Sequence, residues 1–134
     1  MQVHPYLSFE GRCEEAIAYY RGAVDAEVVM LMRFRDAPDP SMVAPGTADK
    51  VMHATLKIGD SQVMCTDGRC QGHGSFQGTS LALTVADPAE AERRFAALAE
   101  GGQVQMPLAA TFFASRFGMV RDRFGVPWMI VTAS

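Results

Sequence analysis

The strongest constraint on how this chain folds is an internal duplication. The segment LSF at residues 7–9 is matched by LTV at residues 83–85, and each segment precedes a helical pattern and then a two-strand hairpin. Gly59 in the first hairpin corresponds to Gly125 in the second. Because both copies must build the same supersecondary unit, the repeat dictates the architecture. Each copy predicts a βαβββ unit, in which one helix covers one face of four strands and the other face is left open.

The first copy begins with a predicted strand at residues 2–9 and a helix at residues 13–24. Further strands are predicted near residues 26–34 and in the hairpin VMHATLKI–GD–SQVMCT, where the Gly-Asp pair suits a two-residue turn. A long polar loop at residues 35–50 contains three prolines, and we interpret it as a segment that closes over a ligand. The apolar positions of the helix recur on one helical face: Ala16, Ile17, Tyr20 and Val24.

The helix of the second copy has the clearest boundaries in the sequence. Asp87 is placed as the N-cap, Pro88 lies in the first turn, and Glu90 stands at the capping-box spacing. Two glycines at residues 101–102 end the helix. They and the hairpin glycines do not form the glycine-rich strand-to-helix turn of a nucleotide site. The predicted buried stripe of this helix consists of Ala91, Phe95 and Leu98.

Composition excludes several classes of function. Hydrophobic residues make up 49% of the 134 residues, charged residues 20%, and the net charge is −3, so a packed core is expected and a nucleic-acid or anionic-membrane partner is not. No apolar run approaches the length that spans a bilayer. The start MQVHPYLSF has neither a basic leader nor an apolar signal segment, and we expect a cytoplasmic protein. In that compartment three cysteines indicate free thiols.

Six segments together resemble the PhnB-like, or 3-demethylubiquinone-9 3-methyltransferase-like, branch of the glyoxalase/bleomycin resistance/dioxygenase (vicinal oxygen chelate) superfamily. They are PYLSF, EEAIAYY, KVMHATLKIGDSQVMCTD, LAEGGQVQMPL, TFFASRFGMV and DRFGVPWMI. The resemblance implies an α+β fold in which two tandem βαβββ modules form cup-shaped mixed sheets. It implies one domain over residues 1–134, with module one at about 1–67 and module two at about 79–134. It also implies a homodimer with exchanged modules.

Metal-dependent members of this superfamily take His, Gln or Glu ligands from four strand positions. Carried onto this chain, the resemblance places those positions at His4, at Met64 or Cys65, at Ser80, and at Met129. Only His4 is a ligand-type residue there, whereas catalytic zinc keeps three protein ligands. We therefore predict that the metal site is lost and that the protein needs no cofactor. A second cluster, CTDGRCQGHG, has Cys65, Asp67, Cys70 and His73 at a spacing that is not standard for zinc.

Aromatic and methionine side chains are the remaining candidates for a ligand site. If Leu7 and Phe9 pack under the first helix, strand alternation points Tyr6 and Ser8 into the opposite face. Methionine adapts its shape to irregular ligands. The candidate catalytic residues are His53 and Asp67. The full set of predicted ligand-binding residues is Tyr6, Ser8, His53, Cys65, Asp67, Phe113, Phe117, Trp128 and Met129.

Three functions remain open from the sequence. The favoured one is a metal-independent protein that binds a small molecule in a cleft lined by aromatic and methionine side chains. The alternative is a lyase, isomerase or dioxygenase that acts on a small carbonyl or aromatic substrate with a divalent metal, with a titratable group such as His53 in the cleft. The third is a structural dimer without a ligand. The sequence identifies neither the ligand nor the pathway.

Overall fold

The computed structural model describes residues 1–39, 41 and 43–133. These residues form two helices and eight strands, and the elements of the two copies follow each other in the same order. A short 3₁₀ turn, Phe34–Asp36, follows the second strand. The elements are β1 (Tyr6–Ser8), α1 (Cys13–Ala23), β2 (Glu27–Arg33), β3 (Val51–Ile58), β4 (Ser61–Thr66), β5 (Leu81–Val85), α2 (Pro88–Ala99), β6 (Gln103–Ala109), β7 (Ala114–Arg121) and β8 (Pro127–Ala133).

Each copy builds one four-stranded mixed sheet. The strand order is β1-β4-β3-β2 in the first sheet and β5-β8-β7-β6 in the second. The outer pairs β1–β4 and β5–β8 are parallel, and the other neighbours are antiparallel. The chain divides into two compact units, Met1–Gly74 and Ser75–Ser134. The α+β class and the duplicated βαβββ unit are confirmed, although β1 is shorter than the strand predicted at residues 2–9.

The core of the first unit lies between α1 and one face of its sheet. The stripe predicted for the first helix is confirmed, because Ala16, Ile17, Tyr20 and Val24 are all buried. Val24 itself lies one residue beyond the end of α1. The sheet contributes alternate positions of its strands to this core, as the two-residue side-chain period of a strand requires. These positions are Leu7, Phe9, Ala54, Leu56, Val63 and Cys65.

The core of the second unit is built in the same way between α2 and its sheet. Ala91 and Leu98 are buried as predicted, and Phe95 is half-buried above Gly118. A Cβ atom at Gly118 would come within 2.8 Å of the Phe95 ring and 2.9 Å of the Leu108 backbone. Glycine is therefore needed there because the helix and the neighbouring strand approach β7 closely. On β8 the buried positions are Trp128, Ile130 and Thr132.

The loop predicted at residues 35–50 is held by hydrogen bonds of Arg33, the last residue of β2. The Arg33 guanidinium donates to both carboxylate oxygens of Glu14, at 3.0 and 2.8 Å, and to the Asp49 carbonyl at 2.7 Å. The hydrogen bond from Arg33 holds the pKa of Glu14 below its usual value. Closure of this loop over a ligand stays a prediction, and Pro40 and Met42 lie outside the described residues. Within the described ranges, no helix is both long and apolar enough to cross a membrane.

Candidate functional site

The face of the first sheet that points away from α1 carries polar and methionine side chains. The strand register sets Tyr6 beside Met64, Met64 opposite Thr55, and Thr55 opposite Met30. His53 lies two residues before Thr55 on β3 and therefore points to the same side. We call this side of the sheet open face 1. It differs from the buried side because its side chains are half-buried or exposed.

Tyr6 and His53 form a hydrogen-bonded pair on open face 1. The Tyr6 hydroxyl oxygen lies 2.8 Å from Nδ1 of His53, and Nε2 of the same ring lies 3.2 Å from the Thr55 hydroxyl oxygen. The two rings meet edge-on, with centroids 5.4 Å apart. Partial burial raises the pKa of Tyr6 above 10.0, so its hydroxyl stays protonated at neutral pH and can donate. Tyr6 is nevertheless 53% exposed, which leaves the pair accessible to a ligand.

Ser8 lies on the same face, but its hydroxyl is engaged by Glu10, which follows β1. Its hydroxyl donates a short hydrogen bond to the Glu10 carboxylate. The other Glu10 oxygen accepts the backbone N–H groups of Arg69 and Gln71 at 3.2 and 3.4 Å. The Ser8 hydrogen bond holds the pKa of Glu10 below its usual value, together with the backbone bonds. Glu10 thus holds this loop, and the Ser8 hydroxyl proton is already committed to Glu10.

Asp67 and Cys65 are buried in the first unit, away from open face 1. The Asp67 carboxylate is 1% exposed and accepts three backbone N–H groups, from Gly11 at 2.9 Å, Cys13 at 2.8 Å and Val51 at 2.7 Å. Cys65 faces α1, and its thiol is hydrogen-bonded to that of Cys13. This hydrogen bond and the burial of Cys13 raise the pKa of Cys13. Asp67 and Cys65 therefore make contacts in the interior of the first unit, and neither belongs to the site proposed below.

On β8 the two predicted site residues point to opposite sides of the second sheet. Trp128 is 3% exposed, lies on the buried side, and donates its indole N–H to the Asp122 carboxylate at 2.8 Å. Met129 is half-buried on the opposite side, which we call open face 2. Only Met129 is therefore available to a molecule on that face. The buried Asp122 carboxylate also accepts the backbone N–H groups of Phe124 and Val126, so it holds the β7–β8 turn.

Open face 2 is apolar in its centre. Met129 lies opposite Met119, and Met119 lies opposite Met106, so three methionines form a row across β8, β7 and β6. Phe117 lies on the same face beside this row, opposite Val131. Phe113 packs edge-on against Phe117 with centroids 5.2 Å apart, and the fully exposed Phe112 packs against Phe113 at 5.1 Å. The predicted candidates Phe113 and Phe117 are thus in contact, and Met129 lies on the same face as Phe117.

The four superfamily metal positions do not suit a hard or borderline divalent cation. The β1–β4 register puts Met64, and not Cys65, at the position in unit one that corresponds to Met129 in unit two. His4 is hydrogen-bonded to Gln2 at 3.1 Å, and Ser80 offers only a hydroxyl. Two thioethers and a hydroxyl do not replace carboxylates for such ions. Among the described residues, no three His, Cys, Asp or Glu side chains group as metal ligands.

The sequence analysis missed five residues of the two open faces: Met30, Thr55 and Met64 (considered there only as a metal position) on open face 1, and Met106 and Met119 on open face 2. Strand alternation carries part of the signal, because Thr55 follows His53 by two residues and Met119 follows Phe117 by two. What the sequence lacks is the register that sets these residues beside Tyr6 and Met129.

This arrangement of two sheets defines a protein of the glyoxalase/bleomycin-resistance fold. A glyoxalase/bleomycin resistance protein from Albidiferax ferrireducens matches all of the chain with a TM-score of 0.65 at 14% identity, a likeness of fold alone. The chain belongs to the family described as 3-demethylubiquinone-9 3-methyltransferase, which matches residues 1–131. The resemblance noted in the sequence is therefore confirmed.

Three relatives cover nearly the whole chain. Protein YjdN of Escherichia coli K12 is 39% identical over 140 residues, which are 97% of this chain and 94% of YjdN. The crystal structure of protein PA1353 from Pseudomonas aeruginosa has a TM-score of 0.87 at 41% identity and covers 99% of this chain and 98% of its own. The PhnB protein from Bacillus cereus has a TM-score of 0.82 at 30% identity, with 99% and 100% covered.

Proposed function

We propose that this protein binds a small aromatic or apolar molecule on the open faces of its sheets and that it does so without a bound divalent metal. The observation that carries the proposal is the Tyr6–His53 pair, which is hydrogen-bonded at 2.8 Å and half exposed beside Met64 and Thr55. Small-molecule sites combine apolar lining with a few placed polar groups, and the pair supplies such a polar group.

The side chains around the pair suit a flat or irregular ligand. Methionine fills irregular space and makes favourable contacts between its sulfur and aromatic rings. Open face 2 adds Phe113 and Phe117, whose edge-on packing leaves ring surface for a further aromatic group. Phe117 stands in β7 where His53 stands in β3, so the two units offer different groups from equivalent positions. Within its own unit, open face 1 therefore offers hydrogen bonds to a ligand oxygen, whereas open face 2 offers apolar contact alone.

Metal independence follows from the donor atoms. The superfamily positions hold His4, Met64, Ser80 and Met129, and thioether sulfur is a soft ligand with low affinity for Zn, Mn or Fe(II). A chelating mechanism needs such an ion to polarise the substrate oxygen. We therefore assign the oxygen of the ligand to the Tyr6–His53 pair, which would hold it by hydrogen bonds.

Binding of 2-naphthol and of naphthalene to the purified protein tests this proposal. We expect both probes to raise the unfolding temperature, with 2-naphthol bound more tightly because its hydroxyl reaches the Tyr6–His53 pair. Tyr6→Phe keeps the ring and removes the hydroxyl, and it should weaken 2-naphthol about five- to tenfold while leaving naphthalene unchanged, since one hydrogen bond is worth roughly 1 kcal/mol. Tyr19→Phe on α1 is the matched control and should change neither affinity.

Two results would overturn the proposal. The first is the absence of binding for both probes at their solubility limits. The second is stoichiometric Zn, Ni or Mn in the protein by elemental analysis, retained after dialysis against a weak chelator, because a lyase, isomerase or dioxygenase that uses a metal would then explain the site. Equal effects of Tyr6→Phe on both probes would contradict the role given to the hydroxyl.

A further inference from the structure

Open face 2 contains a row of three methionines that packing of the core does not require. Met106, Met119 and Met129 are direct cross-strand partners on three neighbouring strands. All three point away from the buried side, and Met106 is 45% exposed while the other two are half-buried. Residues directly opposite in antiparallel strands have Cα atoms about 4.5–5.5 Å apart, and the methionine side chain has three rotatable bonds. The three sulfur atoms can therefore converge on one point above Met119.

The surroundings of this row favour a soft ligand partner over a hard one. The neighbouring positions on the face are Ala82 and Thr84 on β5, Pro127 and Val131 on β8, and Phe117 and the exposed Arg121 on β7, so carboxylates are absent from them. Thioether ligands select Cu(I), whereas Mg, Ca and Mn require oxygen donors. The Phe117 ring also presents a π surface to a cation bound beside it. Soft donors and missing carboxylates together define the class of ion.

We propose that Met106, Met119 and Met129 form a binding site for a soft monovalent cation, Cu(I), held by three thioether sulfurs on open face 2. The site lies entirely within the second unit. It is independent of the ligand proposal, which rests on the Tyr6–His53 pair of the first unit. Binding involves no change in the oxidation state of the protein.

Titration with Ag(I), a redox-stable analogue of Cu(I), tests the site in protein labelled with ¹³C at the methionine methyl groups. The half-buried Cys70 is replaced by serine throughout, because a thiol competes for soft ions, whereas Cys13 and Cys65 are buried. Of the nine methionine methyl signals, we expect those of Met106, Met119 and Met129 to shift together and to saturate at one Ag(I) per chain. Zn(II) at the same concentration should leave them unchanged.

Met119→Leu separates sulfur chemistry from apolar packing, because leucine has a similar volume and such exchanges are well tolerated. We expect the variant to weaken Ag(I) at least tenfold, since the loss of even an outer-shell partner costs 10–100-fold in metal affinity. Met30→Leu is the matched control, because Met30 lies on open face 1 opposite Thr55 and not opposite another methionine.

The experiments test the metal site and the ligand proposal separately. Unchanged Ag(I) affinity in Met119→Leu, or shifts spread over all methionine signals without saturation, would overturn the metal site. If Met119→Leu does not fold, Met129→Leu makes the same test. Failure of the naphthalene and 2-naphthol experiments would remove the ligand proposal and leave the Ag(I) result standing.

Discussion

At the scale of single residues, the Asp67 side chain joins three segments of the first unit. Its carboxylate receives N–H groups from the segment before α1, from the first residue of α1 and from the first residue of β3. A buried carboxylate that accepts several backbone N–H groups joins these segments strongly, because charged hydrogen bonds are about twice as strong as neutral ones. Asp67 therefore holds together the elements that carry open face 1.

Asp67→Asn is predicted to destabilise the protein by about 2–3 kcal/mol, because the amide turns one acceptor oxygen into a donor that faces a buried backbone N–H. Chemical denaturation measures this change in the free energy of unfolding. Asp60→Asn, at an exposed position in the β3–β4 turn, is the matched control and should change stability little. An Asp67→Asn protein as stable as the control would show that the three hydrogen bonds contribute nothing net.

At the scale of elements, the two equivalent helices begin in different ways. In α2 the Asp87 side chain accepts the N–H of Glu90 at 2.8 Å, and the Glu90 carboxylate reaches back to the N–H of Ala86 at 3.4 Å. In α1 the N-cap residue is Arg12, whose side chain makes no capping hydrogen bond. Asp67, from the end of β4, performs that function from a distant part of the chain. The start of α2 is thus stabilised locally, and that of α1 only after the sheet has formed.

Asp87→Ala is predicted to destabilise the protein by about 1 kcal/mol, the usual cost of losing an N-cap side chain. Asp87→Ser keeps an acceptor oxygen at the cap and should recover most of that loss. Thermal unfolding followed by circular dichroism compares both variants with the parent protein. If serine and alanine were equally destabilising, the hydrogen bond to Glu90 would not be the cause.

At the scale of the whole molecule, the chain exposes apolar side chains along one edge of each sheet. β2 and β6 are edge strands, and Val29 and Val104 on them are 56% and 46% exposed. Exposed apolar edge strands favour association with another chain. The homodimer that the resemblance implies stays a prediction, and we expect these two edges to take part in it.

Light scattering after size-exclusion chromatography should give the mass of a dimer. Because charge on an edge strand opposes association, Val29→Lys combined with Val104→Lys should shift the protein toward monomer. Ala96→Lys, at an exposed position on α2, is the control and should leave the mass unchanged. A monomeric parent protein at micromolar concentration would contradict the prediction.

The fold was more predictable than the site because its signals are local and repeated. The apolar stripe of α1, the Asp87 cap and the Gly59 turn each follow from a few neighbouring residues, and the duplication let one copy support the other. Prediction of the site residues depends, in contrast, on which side of the sheet each side chain faces. Alternation with Leu7 predicts the open side for Tyr6, as observed. Alternation on β8 separates Trp128 from Met129 but does not tell which of the two is buried, so both are candidates from the sequence.

The sequence by itself determined that two βαβββ units form and which helix face each sheet covers, because periodicity and capping act over a few residues. Only the tertiary structure decided that Tyr6 meets His53, that Met106, Met119 and Met129 form a row, and that Asp67 caps α1. These contacts join strands or segments that are separate in the sequence. Their partners are fixed by the register of the sheets, which depends on the whole unit packing together.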